Sequence, residues 1–200
     1  MARATQDRFT LPASGVFSVL APGLFCSIIS DMQKIKSVFK GKLLNVFVGE
    51  KRLPNGYVAT FEIIKHPGAA LIVPFPAKDK IIMLRQLRPV IDSYIYELPA
   101  GTLDKNESPL SCARREIVEE TGFSAKKMTY LGKIFPVPGY STECIHIYKA
   151  EGLKRREHVA EKDEVIEPHI FSKAKIRQFF KSGRIVDAKT IAALAMCGWL

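Results

Sequence analysis

Three glutamates, Glu116, Glu119 and Glu120, lie close together in the segment SPLSCARREIVEETGF (108–123). In an α-helix, residues four apart lie one turn above the other, so Glu116 and Glu120 share a face and Glu119 lies beside them. Such carboxylates repel each other, whereas hard divalent cations such as magnesium prefer oxygen ligands. The cluster therefore predicts a metal site that neutralises phosphate charge and activates water. The alternative is an exposed acidic helix held by salt bridges.

Neighbouring residues are suited to supporting such a site. Arg115 precedes the cluster and can pair with Glu119 at i, i+4, which would hold one carboxylate in place. Glu107 lies just before the helix and either adds an oxygen ligand or braces the loop. Gly101 allows the backbone to approach closely, so the carbonyl of Ala100 is expected to face the metal.

The ends of this helix are marked clearly in the sequence. Ser108 is a suitable N-cap, Pro109 suits the first helical position, and Gly122 suits the C-terminal end. One face of the helix carries a stripe that should contact the core, formed by Leu110, Ala113, Ile117 and Thr121. The glutamates are thereby held on a helix that is anchored by its opposite side.

The remaining elements are mainly strands. Apolar runs typical of strands occupy 43–53, 56–66, 69–75, 80–88, 93–101, 128–137 and 144–153. Two further helices are predicted at about 172–182, with a Ser172 cap, and 188–197, with an Asp187 cap. This order predicts an α/β or α+β sandwich with a mixed or antiparallel sheet. We expect one domain over 32–200, preceded at 1–31 by a loosely ordered extension or a poor signal or transit peptide.

Composition narrows the choice of partner and compartment. Thirty Lys and Arg against twenty Asp and Glu give a formal charge of +10, which suits nucleic acid, anionic lipid or a phosphate-rich small molecule. No apolar run is long enough to span a membrane. The four cysteines are widely spaced without a CxxC pair, as is typical of reduced thiols in a cytoplasmic protein.

The acidic helix and the residues before it match a known pattern. Residues 101–123 read G-TLDKN-E-SPLSCAR-REIVEETGF, which agrees at every fixed position with the Nudix box, G-x5-E-x7-R-E-U-x-E-E-x-G-U, where U is a bulky apolar residue. The chain therefore resembles the Nudix hydrolases. The resemblance implies an α/β/α sandwich with a mixed sheet, and cleavage of a nucleoside diphosphate joined to a second group with Mg2+, for which Mn2+ substitutes.

The same resemblance implies a role for each residue of the box. Glu116 and Glu120 are the expected principal metal ligands, assisted by Glu119 and by the carbonyl of Ala100. Glu119 and Arg115 are also expected to contribute to catalysis, and Glu107 to support them.

Segments outside the box resemble the ADP-ribose pyrophosphatase branch of the family. These are RQLRP (85–89), YELPAG (96–101), PVPGYSTE (136–143) and GRIVDAKTIAAL (183–194). This likeness implies hydrolysis of ADP-ribose to AMP and ribose 5-phosphate by a homodimer. The alternatives are another nucleoside diphosphate sugar, such as GDP-mannose, or an RNA-directed Nudix protein. Nucleic acid is the less expected partner, because the basic clusters look more like scattered surfaces and helix faces than one basic face with interleaved aromatic residues.

Four residues in these segments are candidate substrate contacts. Arg88 suits a phosphate or ribose, because guanidinium pairs well with phosphate oxygens. Glu97 is a candidate hydrogen-bond partner for adenine or ribose, and Tyr140, beside Pro138, for stacking on a base. Each of these positions also has a purely structural interpretation, as a surface, core or rim residue.

An acidic loop after the box is the expected source of a general base or an extra metal ligand. The segment AEKDEVIEPH (160–169) supplies Glu161, Asp163 and Glu164. Glu164 is the first choice from its spacing to the following strand, and Lys162 interrupts the acidic run. A solvated loop without a catalytic role is the alternative.

Overall fold

The computed structural model describes residues 32–41, 44–156 and 165–200. The acidic loop residues Glu161, Asp163 and Glu164, and the extension predicted at 1–31, lie outside the described residues. Within the described part, no helix has both the length and the apolar character needed to cross a membrane.

Ten strands and three α-helices form the described fold. The strands are β1 (Gln33–Lys40), β2 (Asn45–Arg52), β3 (Val58–Lys65), β4 (Ala69–Phe75), β5 (Lys80–Arg88), β6 (Ser93–Glu97), β7 (Ala100–Thr102), β8 (Phe123–Ile134), β9 (Ile145–Arg155) and β10 (Ile166–Ser172). The helices are α1 (Pro109–Thr121), α2 (Lys173–Lys181) and α3 (Ala188–Met196). The predicted α/β architecture with a mixed sheet is confirmed.

The strands form three sheets. A mixed sheet has the order β7-β4-β9-β8, in which β4 and β9 are parallel and the other pairs antiparallel. The antiparallel sheet β10-β5-β6 packs beside it, and the antiparallel sheet β1-β2-β3 is formed by the N-terminal part of the described chain. The strand β10 begins at Ile166, so the loop predicted over 160–169 ends earlier than expected.

The central strand β4 separates two layers of the core. Its residues alternate between the faces of the sheet: Leu71 and Val73 pack with β5, α2 and α3, whereas Ala70 and Ile72 pack with α1. All four are fully buried. The helix with the glutamates is therefore held against one face of the mixed sheet, and the two C-terminal helices against the other.

The predicted helix ends are present. The Ser108 hydroxyl accepts a hydrogen bond from the Ser111 amide at 3.1 Å, and Gly122 ends α1 in the left-handed region with φ of 71°. At α3, the Asp187 carboxylate accepts from the Thr190 amide at 3.0 Å. Both caps fix the first turn of a helix that supplies the site described next.

Candidate active site

A cavity of about 660 Å³ opens between α1, β7 and the start of α3. Its wall includes carboxylates from α1, cations from two distant segments and one proline: Glu116, Glu119, Glu120, Arg88, Lys189 and Pro136. Thus the cluster found in the sequence lines a cavity, together with basic side chains that would attract an anionic ligand. This does not fit the alternative of an exposed acidic helix.

The backbone of β7 fixes two of the glutamates. The Ala100 amide donates a hydrogen bond to Oε2 of Glu120 at 2.8 Å. A Cβ atom added at Gly101 would lie 1.6 Å from Oε1 of Glu116. The glycine is therefore needed because the Glu116 carboxylate occupies the space that any other side chain would fill. Beneath this contact, the Cys112 thiol is buried, and that burial raises its pKa to about 12.

Arg115 binds three glutamates at once. Its guanidinium donates to Glu107 at 2.9 and 3.1 Å, to Glu116 at 2.7 Å and to Glu119 at 2.9 Å. The i, i+4 pair predicted between Arg115 and Glu119 is present. The hydrogen bond to Glu107 is the largest of several effects that raise the pKa of Arg115, and the same bond holds the pKa of Glu107 below its usual value. Glu107 also accepts from the Asp104 amide at 3.1 Å, so it braces the loop.

A second ion network lies at the cavity wall, around Glu97. Arg88 donates to both oxygens of the Glu97 carboxylate, at 2.5 and 2.7 Å, and Lys189 also donates to it. Lys189 further pairs with Asp187 at 2.9 Å. Burial alone would raise the pKa of Glu97, but the Arg88 and Lys189 charges outweigh it and hold that pKa below its usual value.

Three of the predicted substrate contacts lie differently from expectation. Glu97 is 1% exposed and its oxygens are bound by Arg88 and Lys189, so this arrangement does not support a direct contact with adenine or ribose. Pro138 and Tyr140 are absent from the described cavity wall, whereas Pro136 contributes to it. Arg88 does line the cavity, and its contact with a phosphate or ribose remains a prediction.

Lys189 was missed as a site residue by the sequence reasoning, and Asp187 was assigned only a capping role. A sequence signal for Lys189 exists. It lies in the first turn of α3, where the helix dipole disfavours a positive charge. A lysine at such a position indicates that its charge is needed by a neighbour or by a ligand.

The carboxylates of α1 provide the type of ligand that magnesium takes. Glu116, Glu119 and Glu120 offer hard oxygen atoms at one cavity, and magnesium usually binds one or two carboxylates together with substrate phosphates. Among the described side chains, no three His, Cys, Asp or Glu converge into a closed metal-binding group. A magnesium ion held by one or two of the α1 carboxylates would take its other ligands from substrate phosphate and water.

Comparison with known proteins agrees with this geometry. The sequence model of the NUDIX domain matches residues 65–194. The chain belongs to the Nudix family. This Nudix chain is 37% identical over 161 residues to the ADP-ribose pyrophosphatase of Bacillus subtilis, covering 80% of this chain and 87% of the relative. It is 36% identical over 163 residues to the methanol dehydrogenase activator of Bacillus methanolicus, covering 80% and 88%.

A solved structure of an ADP compounds hydrolase shares the Nudix fold. The TM-score is 0.72 at 23% sequence identity, and the match covers 83% of this chain and 90% of the other. The predicted resemblance to the ADP-ribose pyrophosphatase branch of the Nudix family is thus confirmed, as is the assignment to the Nudix pyrophosphohydrolases.

Proposed function

We propose that this protein hydrolyses the pyrophosphate bond of a nucleoside diphosphate derivative, and that ADP-ribose is its substrate. The observation that supports this most is the joint placement of Glu116, Glu119 and Glu120 with Arg88 and Lys189 at one cavity. Carboxylates suit a divalent cation and the cations suit phosphate oxygens. A relative 37% identical is named an ADP-ribose pyrophosphatase.

The reaction adds water across the P–O–P linkage. The water oxygen bonds to one phosphorus as the bond from that phosphorus to the bridging oxygen breaks, and the two water protons are shared between the products and the solvent. From ADP-ribose the products are AMP and ribose 5-phosphate. Magnesium, held by Glu116 and Glu120 with Glu119 and the Ala100 carbonyl assisting, would offset the charge on the pyrophosphate.

The chain's own groups supply orientation. Arg115 holds Glu107, Glu116 and Glu119, so it limits the positions that these carboxylates take at the cavity. Arg88 binds a substrate phosphate from the cavity wall. A carboxylate of the 161–164 segment, with Glu164 as first choice before Glu161, accepts the proton of the attacking water.

A substrate panel tests this proposal. ADP-ribose, GDP-mannose, other nucleoside diphosphate sugars and capped RNA are each incubated with the enzyme and Mg2+, and mononucleotide release is followed by chromatography. AMP release from ADP-ribose with the highest kcat/KM is expected, with loss in excess EDTA and recovery with Mg2+ or Mn2+. Faster release of GMP from GDP-mannose, or of a cap nucleotide from RNA, would overturn the choice of substrate.

We also propose that the protein acts as a cytoplasmic homodimer. The three cysteines in the described part, Cys112, Cys144 and Cys197, are all free thiols, as expected in a reducing compartment. All eight residues of β1 are exposed, including the large apolar side chains of Val38 and Phe39. An edge strand that exposes large apolar side chains is a typical interaction surface, and a second copy of the chain is its expected occupant.

Sedimentation analysis tests the dimer. The full chain is expected to sediment at twice its formula mass, and replacing Val38 and Phe39 by lysine should shift it to the monomer. A monomeric wild-type chain at micromolar concentration would contradict this part of the proposal.

A further inference from the structure

The Glu97 carboxylate has one more cationic partner than it needs to balance its own charge. Glu97 is a carboxylate at the end of β6 with 1% exposure, and a buried carboxylate requires counter-charges. A single arginine bound through two hydrogen bonds already satisfies that need. The structure adds a second cation, Lys189, to the same carboxylate.

The two cations come from segments far apart in the sequence. Arg88 ends β5, and Lys189 lies in the first turn of α3. Two contacts bring α3 to this place: the Leu98 amide donates to the Thr190 hydroxyl at 2.9 Å, and Lys189 binds Glu97. Asp187 binds the other side of the ammonium at 2.9 Å. The Lys189 ammonium is thus fixed from two sides, although lysine is ordinarily a flexible side chain.

Both cations retain access to the cavity. The side chain of Arg88 is 41% exposed and that of Lys189 is 17% exposed, whereas that of Glu97 is 1% exposed. A ligand that enters the cavity meets the two cations before it can reach the carboxylate behind them. The exposed faces of the pair are therefore what an anionic ligand meets.

We propose that Lys189 is a further substrate-binding residue that contacts a phosphate together with Arg88, and that Glu97 is the positioning residue that sets the two cations for a diphosphate. This rests on the proposed function and deepens it by assigning the diphosphate, rather than the base or sugar, to this part of the wall. The diphosphate then lies between cations from the protein wall and the carboxylate cluster that binds its metal.

Steady-state kinetics of Lys189→Met, Lys189→Arg and Glu97→Gln test the proposal. With Mg2+ and ADP-ribose, Lys189→Met is expected to raise KM about tenfold or more while kcat changes less than about threefold, because a binding contact is lost. Lys189→Arg keeps the charge, so the logarithm of its KM should lie at least halfway from the Lys189→Met value to the wild-type value. Glu97→Gln should raise KM in the same direction.

Two further measurements separate positioning from a general structural role. If Glu97 acts through the cations, the double variant Glu97→Gln/Lys189→Met should raise KM less than the product of the two single effects. Binding of ADP-ribose in EDTA, measured by calorimetry, should weaken in the same variants, although no metal is present. Glu167→Gln is the matched control, because Glu167 pairs at 3.1 Å with Arg85 of the same strand β5 and is exposed; its kinetics should equal those of the wild type.

The outcomes are distinct. An active wild type together with an unchanged KM in Lys189→Met would overturn this inference and leave the proposed function intact. A wild type that releases no mononucleotide from any substrate would overturn the proposed function itself. If Glu97→Gln fails to fold, the Lys189→Met and Lys189→Arg pair still decides the role of Lys189. Equal losses in Lys189→Met and Lys189→Arg would also count against a phosphate contact.

Discussion

The two ion networks of the cavity are built in opposite ways. The Arg115 network joins Glu107, Glu116 and Glu119, which all lie within one short stretch of the chain. The Glu97 network joins the ends of two strands to the start of the C-terminal helix. The first is set by one helix and the loop just before it, whereas the second exists only when the tertiary fold is complete. We expect the first to control turnover and the second to control affinity.

The strongest test of this division is Glu120→Gln, because Glu120 lines the cavity beside Glu116 and Glu119 of the Arg115 network. The substitution removes the charge of a predicted metal ligand but keeps the size of the side chain and the acceptor for the Ala100 amide. We expect kcat to fall by at least about 100-fold, a typical loss when one electrostatic group of an active site is removed. Turnover is measured with ADP-ribose and saturating Mg2+, and folding by thermal denaturation. Hydrolysis by this variant close to the wild-type rate would show that Glu120 of α1 takes no part in the reaction.

Gly101→Ala tests the geometry of the same network without changing any charge. The added methyl group would displace the Glu116 carboxylate, and a shift of about 1 Å in a catalytic group costs on the order of 100-fold in rate. Gly49→Ala in β2 is the matched control, because its new Cβ meets only the flexible end of Met32, at 3.0 Å, and the α carbon and side chain of Ile35 at 3.5 Å. A control as slow as Gly101→Ala would show that the loss is not local.

Arg115→Ala should have a smaller effect. It leaves every predicted metal ligand present but removes the guanidinium that orients them, and loss of such a supporting group costs about 10- to 100-fold. The decrease should appear in kcat more than in KM. Arg114→Ala, which removes an exposed neighbour with one 3.4 Å hydrogen bond to a backbone carbonyl, serves as the control. An effect of Arg115→Ala on KM alone would contradict the proposed division between the networks.

The smallest expected effect is in the pH dependence of stability. The pKa of Glu97 is lower in the folded protein than in the unfolded chain, so its ionised form stabilises the fold above the unfolded value of about 4.3, and this contribution is lost as pH falls through the folded value. Glu97→Gln should therefore lower the free energy of unfolding at pH 7, by only about 1 kcal/mol, because Arg88 stays partly exposed and Lys189 keeps its pairing with Asp187. The difference from wild type should shrink below about pH 4. Urea denaturation at both pH values measures it, and a constant difference would contradict the assignment.

Prediction from sequence succeeded where the determining contacts are local. The helix α1, its Ser108 cap and its Gly122 end follow from residue types at fixed spacing, and so does the pairing of Arg115 with Glu119. The sequence predicted that Gly101 is needed because glycine allows the backbone to approach closely. The structure gives a different reason, the space taken by Glu116.

Prediction was incomplete where the contact joins distant segments. Glu97 was a candidate substrate contact from the likeness of its segment to the ADP-ribose pyrophosphatase branch, and no pattern around it in the sequence indicates that two cations bind its carboxylate. Lys189 lies 92 residues further along the chain. Only the order of the strands and the docking of α3 bring the two together, and a single sequence does not specify this docking.

The dependence of the cavity on α3 also matters while the chain is being synthesised. Synthesis proceeds from the N-terminus, so a growing chain presents all the carboxylates of α1 before Lys189 has been added. The segment after α3 also contributes to the core, since Trp199 is 4% exposed. A chain synthesised only as far as α1, or cleaved before α3, would thus carry the carboxylates of the cavity without Lys189.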